Sequence, residues 1–308
     1  MPLPGLTARV WSPHADTDRI LVAHDGPEYD GRGRLGDYTA AVIGSGRVRP
    51  YHLVLLPPIG NTGSHPRRAR QDEAGIAGSH PRRARQDEAG IAGSHPRRVW
   101  EDQIGNTGSH PQTTRQDETG IAGSHPQTAR QGQVRKTGSR PRTVRQGGRE
   151  RIFAADPGYA RFLAWELLPR IRARLGGGPV VGAGVSLGAL AMLHAQWRFP
   201  VSFAGLFLQS GSYFQARLDG QEAGFRLFRR IVRFTGLMRH VRDGPAIPVS
   251  LTCGSAEENL ANNRDMADAL RKQGYAVDFA ENPDAHTWTG WRDALHPHLT
   301  GLLRRVWI

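Results

Sequence analysis

Apolar residues along this chain follow two periodicities, and the switches between them outline a fold. Short runs rich in aliphatic and β-branched residues predict strands at 8–12, 19–24 and 51–56, with a short helix at 35–45 between the last two. Later, Tyr159, Phe162, Leu163, Leu167, Ile171 and Leu175 recur at helical spacing and form one apolar face. That helix is closed by Gly176-Gly177-Gly178, where backbone freedom ends it. Beyond it the two patterns alternate. Strands are predicted at 179–183, 203–208, 248–253 and 275–280, and helices at 187–198, around 222–233, at 260–273 and near 291–306. Strand-helix alternation of this kind builds a mostly parallel central sheet with helices on both faces, an α/β architecture.

Between residues 61 and 148 both periodicities are lost. A 15-residue unit beginning Gly63-Ser64-His65-Pro66 recurs at Gly78, Gly93, Gly108 and Gly123, with a variant at Gly138-Ser139-Arg140-Pro141. Each unit carries a helix-breaking Gly and Pro and only one or two aliphatic residues, such as Ile76 and Ile91. Stacking repeats are about 20 residues or longer and bury a hydrophobic face. A 15-residue helical period would also rotate any apolar stripe by about 60° per unit. The segment is therefore read as a disordered tandem-repeat insertion, leaving 1–60 and 149–308 as one α/β domain of a size that buries a full core.

The formal net charge is +13, and residues 61–150 hold 16 Lys and Arg against 9 Asp and Glu, so about half the excess lies in the repeat. Arginines such as those of Pro66-Arg67-Arg68-Ala69-Arg70 suit phosphate contacts, which makes a basic repeat protein that binds nucleic acid a rival of another class. Against it, the early units pair their arginines with Asp72-Glu73 and its equivalent, and no aromatic residues are interleaved for base stacking. No nucleic-acid partner is expected. The single cysteine, Cys253, excludes an internal disulfide and a cysteine-pair zinc site. The N-terminal residues lack a secretory pattern, and no run approaches the ~18 apolar residues of a membrane span. A cytoplasmic protein without a membrane partner is expected; the oligomeric state is left open.

Gly184-Val185-Ser186-Leu187-Gly188 lies where a predicted strand meets a predicted helix. A G-x-S-x-G at such a junction makes a sharp turn that needs small neighbours and projects the serine hydroxyl beside a helix N-terminus. Ser186 is the candidate nucleophile. A serine at its free pKa needs a base, and in this architecture the chain order is serine, acid, histidine. His286 follows the last predicted strand and is the candidate base. For the orienting acid Glu257 is favoured, just beyond the strand that ends at Gly254, with Glu258 and Asp284 as alternatives. The oxyanion donors would be the amides of Leu187 and, in the loop after an early strand, Gly26, because Pro27 has no N–H. Tyr213, Phe214, Trp288 and Trp291 are equally read as substrate-pocket or core aromatics. His194 is read as a packing residue. No metal and no organic cofactor is implied, since no ligand-spaced cluster or phosphate-cradling motif is present.

At these residues the chain resembles the esterase family that includes esterase D, enterochelin esterases and mycolyltransferases, all α/β-hydrolases. The resemblance rests on His24-Asp25-Gly26, the G-x-S-x-G, Gln209-Ser210-Gly211-Ser212, Gly254 through Asn259, and His286-Thr287-Trp288 with Trp291-Arg292. It covers nearly all of the chain outside the repeat. It implies a triad of Ser186, Glu257 and His286 and a serine esterase working on a small-molecule carboxylic ester through an acyl-enzyme. The departure is about 90 extra residues after the strand at 51–56, where the family loop is short. An acyltransferase using the same triad and a catalytically impaired hydrolase-fold protein are the alternatives within this reading.

Overall fold

The computed structural model describes residues 6–57, 100–104, 147–240 and 246–308. Its described residues form one sheet of eight strands in the order β4-β1-β3-β2-β5-β6-β7-β8. The strands are β1 Leu6–Trp11, β2 Ile20–Ala23, β3 His52–Leu55, β4 Trp100–Ile104, β5 Val180–Val185, β6 Gly205–Gln209, β7 Pro248–Gly254 and β8 Ala276–Asn282. From β3 to β8 every pairing is parallel, while β1 runs antiparallel to β3 and to β4. This is the mostly parallel sheet covered by helices on both faces that the alternation of strand and helix patterns predicts.

The core divides by strand face, as the period of two in a strand demands. Ile20 and Val22 of β2, and Leu206 and Leu208 of β6, belong to one cluster; Leu21, Ala23 and Phe207 belong to the other. The first cluster is covered by helices α3 Gly147–Phe153, α4 Pro157–Phe162, α5 Leu168–Arg174, α6 Leu187–Arg198, α7 Phe228–His240 and α8 Leu260–Lys272. The second is covered by α1 Gly26–Gly31, α2 Leu35–Gly44, α9 Trp288–Asp293 and α10 Thr300–Val306. A strand covered on both faces has no polar face, which is why β2, β5 and β6 read as continuous apolar runs.

Three elements differ from the sequence pattern. The helix expected around 222–233 starts later, as α7, because Gly220–Gly224 forms a single tight turn before it. Helix α1 was not anticipated, because Gly26-Pro27 reads as a turn, although Pro is well suited to the first turn of a helix. Within the repeat expected to be disordered, Trp100–Ile104 pairs with the β1 edge. That unit departs from its neighbours by carrying Val99-Trp100 and Ile104 where the first has Ala69-Arg70 and Ala74, and β-branched and aromatic residues favour a strand. The rest of the repeat, like the domain boundary drawn through it, lies outside the described residues.

The topology fixes where a ligand would sit. From β2 the chain moves to β3 on one side, whereas β5 leads to β6, β7 and β8 on the other. Neighbouring connections therefore diverge at β2 and β5, and a crevice opens beyond their carboxyl ends, the usual ligand position in open α/β sheets. His24, Asp25 and Ser186 lie at those ends. The described residues on either side of 58–146 reach the same edge: the Leu56 carbonyl accepts the Gly26 amide at 2.8 Å, and Arg149 of α3 hydrogen-bonds Asp25. Among the described residues no helix is long and apolar enough to cross a membrane.

Phe207 sits mid-strand in β6, beside Ala183 of β5 and Ser250 of β7, with no exposed surface. Phe207→Ala removes a ring from a site that cannot collapse, and the expected loss is about 3–5 kcal/mol of unfolding free energy in a denaturant titration.

Candidate active site

The turn at Ser186 is built by close approach. Ser186 has φ 54° and ψ −121°, a conformation unfavourable for a side-chain-bearing residue, between the end of β5 and the start of α6. It is held by hydrogen bonds from its amide to the Gln209 carbonyl (2.9 Å) and from the Ser212 amide to its own carbonyl (3.2 Å). A Cβ on Gly184 would lie 2.5 Å from the Gly188 backbone, and one on Gly188 would lie 3.1 Å from His24 Cβ. Glycine is therefore required by packing at 184, while at 188 a side chain would need His24 to give by a few tenths of an ångström. The half-buried Ser186 is left above the sheet edge, and its Oγ hydrogen-bonds the Ser212 hydroxyl at 3.2 Å.

Two strands away, β7 ends at Gly254 and delivers Glu257, whose carboxylate is buried. One oxygen, Oε1, accepts from the Gly254 amide (2.8 Å) and the Ser210 hydroxyl (2.6 Å); the other, Oε2, bonds His286 Nδ1 at 2.7 Å. Burial raises the carboxyl pKa, but the hydrogen bonds from His286, Ser210 and Gly254 outweigh it and hold Glu257 below its ordinary value. With Glu257 ionised and able only to accept, His286 Nδ1 is the donor in this bond. The imidazole is part exposed and packs edge-on against the Trp291 indole at 4.9 Å.

Of the three candidate acids, only Glu257 reaches the histidine. Glu258 is exposed, and Asp284 packs beside Gly290 while its carbonyl accepts the Ala256 amide. Ser186 bonds Ser212 and not His286; hydrogen bonds between nucleophile and base are often long without substrate and tighten in its complex.

Gly26 is corrected as an oxyanion donor, because its amide is committed to the Leu56 carbonyl. It is glycine for another reason: a Cβ there would lie 2.5 Å from Leu55. The Leu187 amide sits at the first position of α6, next to Ser186. Of the four aromatic candidates, Tyr213 and Trp291 belong to the buried core. Half-buried Phe214 packs on Phe225 and Phe228, and Trp288 lies between Tyr29 and Trp291. His194 packs edge-on against Phe234, and burial holds it down at about 4, so it is a neutral packing residue as expected.

Sequence reasoning missed a cluster at the end of β2. Asp25, with φ 52° and almost no exposure, forms a two-pronged ion pair with Arg149, whose guanidinium lies 5.3 Å over the Phe153 ring. Beside it, fully buried His24 stacks on Phe153 at 4.6 Å and bonds the Tyr159 hydroxyl at 2.7 Å; burial pushes its pKa down to about 4. Ser210 and Ser212 were also missed as site residues. Their signal was the run of small polar residues Ser210-Gly211-Ser212 directly after an apolar strand.

Because Glu257 is held low in the folded protein, the stability it contributes is present above the unfolded value of about 4.3 and is lost as pH falls through the folded value. Glu257→Gln, which places an amide among donors, should unfold about 1–3 kcal/mol more easily at neutral pH. The gap from the unaltered chain should narrow in denaturant titrations below about pH 4.

No protein-family profile matches the chain, and no curated protein matches it in sequence. Solved structures do match in shape. A ferulic acid esterase superposes with a TM-score of 0.55 at 15% identity, covering 96% of this chain and 91% of that one. The enterochelin esterase of Shigella flexneri gives 0.59 at 14%, and its enterobactin esterase with 2,3-di-hydroxy-N-benzoyl-glycine gives 0.57 at 14%; each match covers 98% of this chain. The chain spans 56% of the length of either Shigella structure. At these identities the likeness is one of fold, and the chain has the α/β-hydrolase fold seen in these esterases.

Proposed function

We propose that the protein is a serine esterase that hydrolyses a small carboxylic ester through Ser186, His286 and Glu257. The observation that carries this reading is the Glu257–His286 hydrogen bond at 2.7 Å, made at the same sheet edge as the strained G-x-S-x-G turn. The fold shared with esterases supports it.

In the first step Ser186 Oγ attacks the ester carbonyl carbon as its proton passes to His286 Nε2. The carbonyl oxygen takes the electron pair, and the Leu187 amide at the N-terminus of α6 donates to it. Collapse of the tetrahedral intermediate breaks the bond to the alkoxy oxygen, which leaves with the proton held by His286. Water then attacks the acyl-enzyme by the same route, giving the acid and free Ser186. Glu257 holds the Nδ1–H tautomer and stabilises the imidazolium.

With Gly26 committed to Leu56, His24 committed to Ala183 and Pro27 lacking an N–H, the loop amide that is left is that of Asp25. A Cβ on Gly188 would lie 3.3 Å from Asp25 Oδ2. A bare carboxylate there would oppose a developing oxyanion, and the Arg149 pair neutralises it. We assign the second oxyanion donor to Asp25 and the neutralising role to Arg149.

The single domain that carries this site is proposed to be 1–60 with 149–308, since each repeat unit between them brings a Gly and a Pro and only one or two aliphatic residues to bury. Ser186→Ala should leave the unfolding transition unchanged and reduce p-nitrophenyl acetate turnover by about 10³-fold or more, measured by release of p-nitrophenolate. Unchanged turnover sinks the reading. A chain lacking 61–148 should unfold cooperatively and keep ester turnover within about threefold of the full chain; loss of either would place part of the repeat inside the functional domain.

A further inference from the structure

The sequence block after β6 ties together residues that are far apart in the chain. Gln209 is fully buried: its Oε1 accepts from the Tyr29 hydroxyl and its Nε2 donates to the Trp291 carbonyl at 2.9 Å. The next residue, Ser210, adopts φ 49° and is 1% exposed. Its Oγ accepts the indole N–H of Trp291 at 2.9 Å and donates to Glu257 Oε1 at 2.6 Å. Trp291 is thus pinned through its carbonyl by Gln209 and through its indole by Ser210, while its ring packs nearly perpendicular to the His286 imidazole.

A serine hydroxyl has one hydrogen and can rotate. With the Trp291 N–H directed into its lone pair, the Ser210 hydrogen is left for Glu257. The indole also polarises the hydroxyl it donates to, which strengthens the second bond in the chain. On the carboxylate, the Ser210 hydroxyl and the Gly254 amide both occupy Oε1. That division leaves Oε2 for His286 Nδ1 and sets the plane in which the imidazole is held. The titratable neighbours of this carboxylate are His286 and, on β7, the buried Cys253 thiol; Ser210, Trp291 and the Gly254 amide do not titrate near neutral pH.

We propose that Ser210 is a positioning residue for the triad, that the Trp291 indole N–H fixes which way its hydroxyl points, and that the two act in series through Glu257 on His286. The proposal rests on the esterase reading for its kinetic consequences, although the hydrogen-bond chain itself does not depend on activity. It assigns Trp291 a role in aligning the base, and the requirement is for an indole N–H, which phenylalanine cannot replace.

The test compares Ser210→Ala, Trp291→Phe and the double variant in the full chain. With p-nitrophenyl acetate, each single variant should lower kcat by about tenfold with KM held within about twofold, the size typical of lost outer-shell support. The double variant should be no slower than Ser210→Ala, because Trp291 acts through Ser210. In the proton NMR spectrum, the far-downfield His286 Nδ1–H resonance should move upfield or broaden in both single variants, a signature that general loosening of the core does not produce while unfolding midpoints are retained. Ser210→Gly, which tolerates a positive φ, replaces the alanine variant if that one folds poorly. Wild-type kcat and an unmoved resonance in both singles would overturn the proposal, as would kinetic losses that simply multiply in the double variant. A chain that turns over no ester at all would count against the esterase reading, and the Nδ1–H resonance would still decide the positioning role.

Discussion

The organising constraint in this protein is a buried carboxylate that must be surrounded by donors. Glu257 lies beneath the surface at the end of β7, where an ionised group without partners would be strongly destabilising. Its two oxygens are satisfied by a backbone amide, a serine hydroxyl and an imidazole. Each donor comes from a different stretch of chain: the end of β7, the end of β6, and the loop after β8. Meeting the demand of one side chain therefore brings three strand ends into register.

That convergence depends on the sheet being rigid where the loops leave it. β5, β6 and β7 are buried on both faces, so their carboxyl ends are fixed by packing from two layers of helices. The left-handed or strained residues of the region, Asp25, Ser186 and Ser210, all lie within two residues of strand ends. Strain of about 1–3 kcal/mol at each persists only where surrounding structure over-determines it. Here the Gln209 carbonyl holds Ser186, the Arg149 guanidinium holds Asp25, and the Thr252 carbonyl accepts the Ser210 amide.

The two buried carboxylates at this sheet edge are balanced differently. On one side Glu257 is held ionised by hydrogen bonds from His286, Ser210 and the Gly254 amide. On the other, the Asp25 carboxylate is neutralised by an arginine that enters from the far end of the long segment after β3. The described stretch that follows that segment thus brings Arg149 to the surroundings of the serine turn.

The sequence by itself determined the alternation of strands and helices apart from α1 and β4, the serine turn and the histidine loop, and it put Glu257 just past a strand end, because each has a local signature. Alternation of period, glycines flanking a serine, and a carboxylate just past a strand end are all visible within a few residues. Only the tertiary structure decided that Gly26 spends its amide on Leu56, that Trp291 and Tyr213 are core and not pocket, and that Trp100–Ile104 adds a strand to the β1 edge. It alone revealed Ser210 and Arg149 as members of the site. The physical reason is that a hydrogen bond or an ion pair is defined by where two distant segments meet. A donor's availability is therefore set by its long-range partner, such as Leu56 for Gly26 or Asp25 for Arg149, which nothing in the local pattern records.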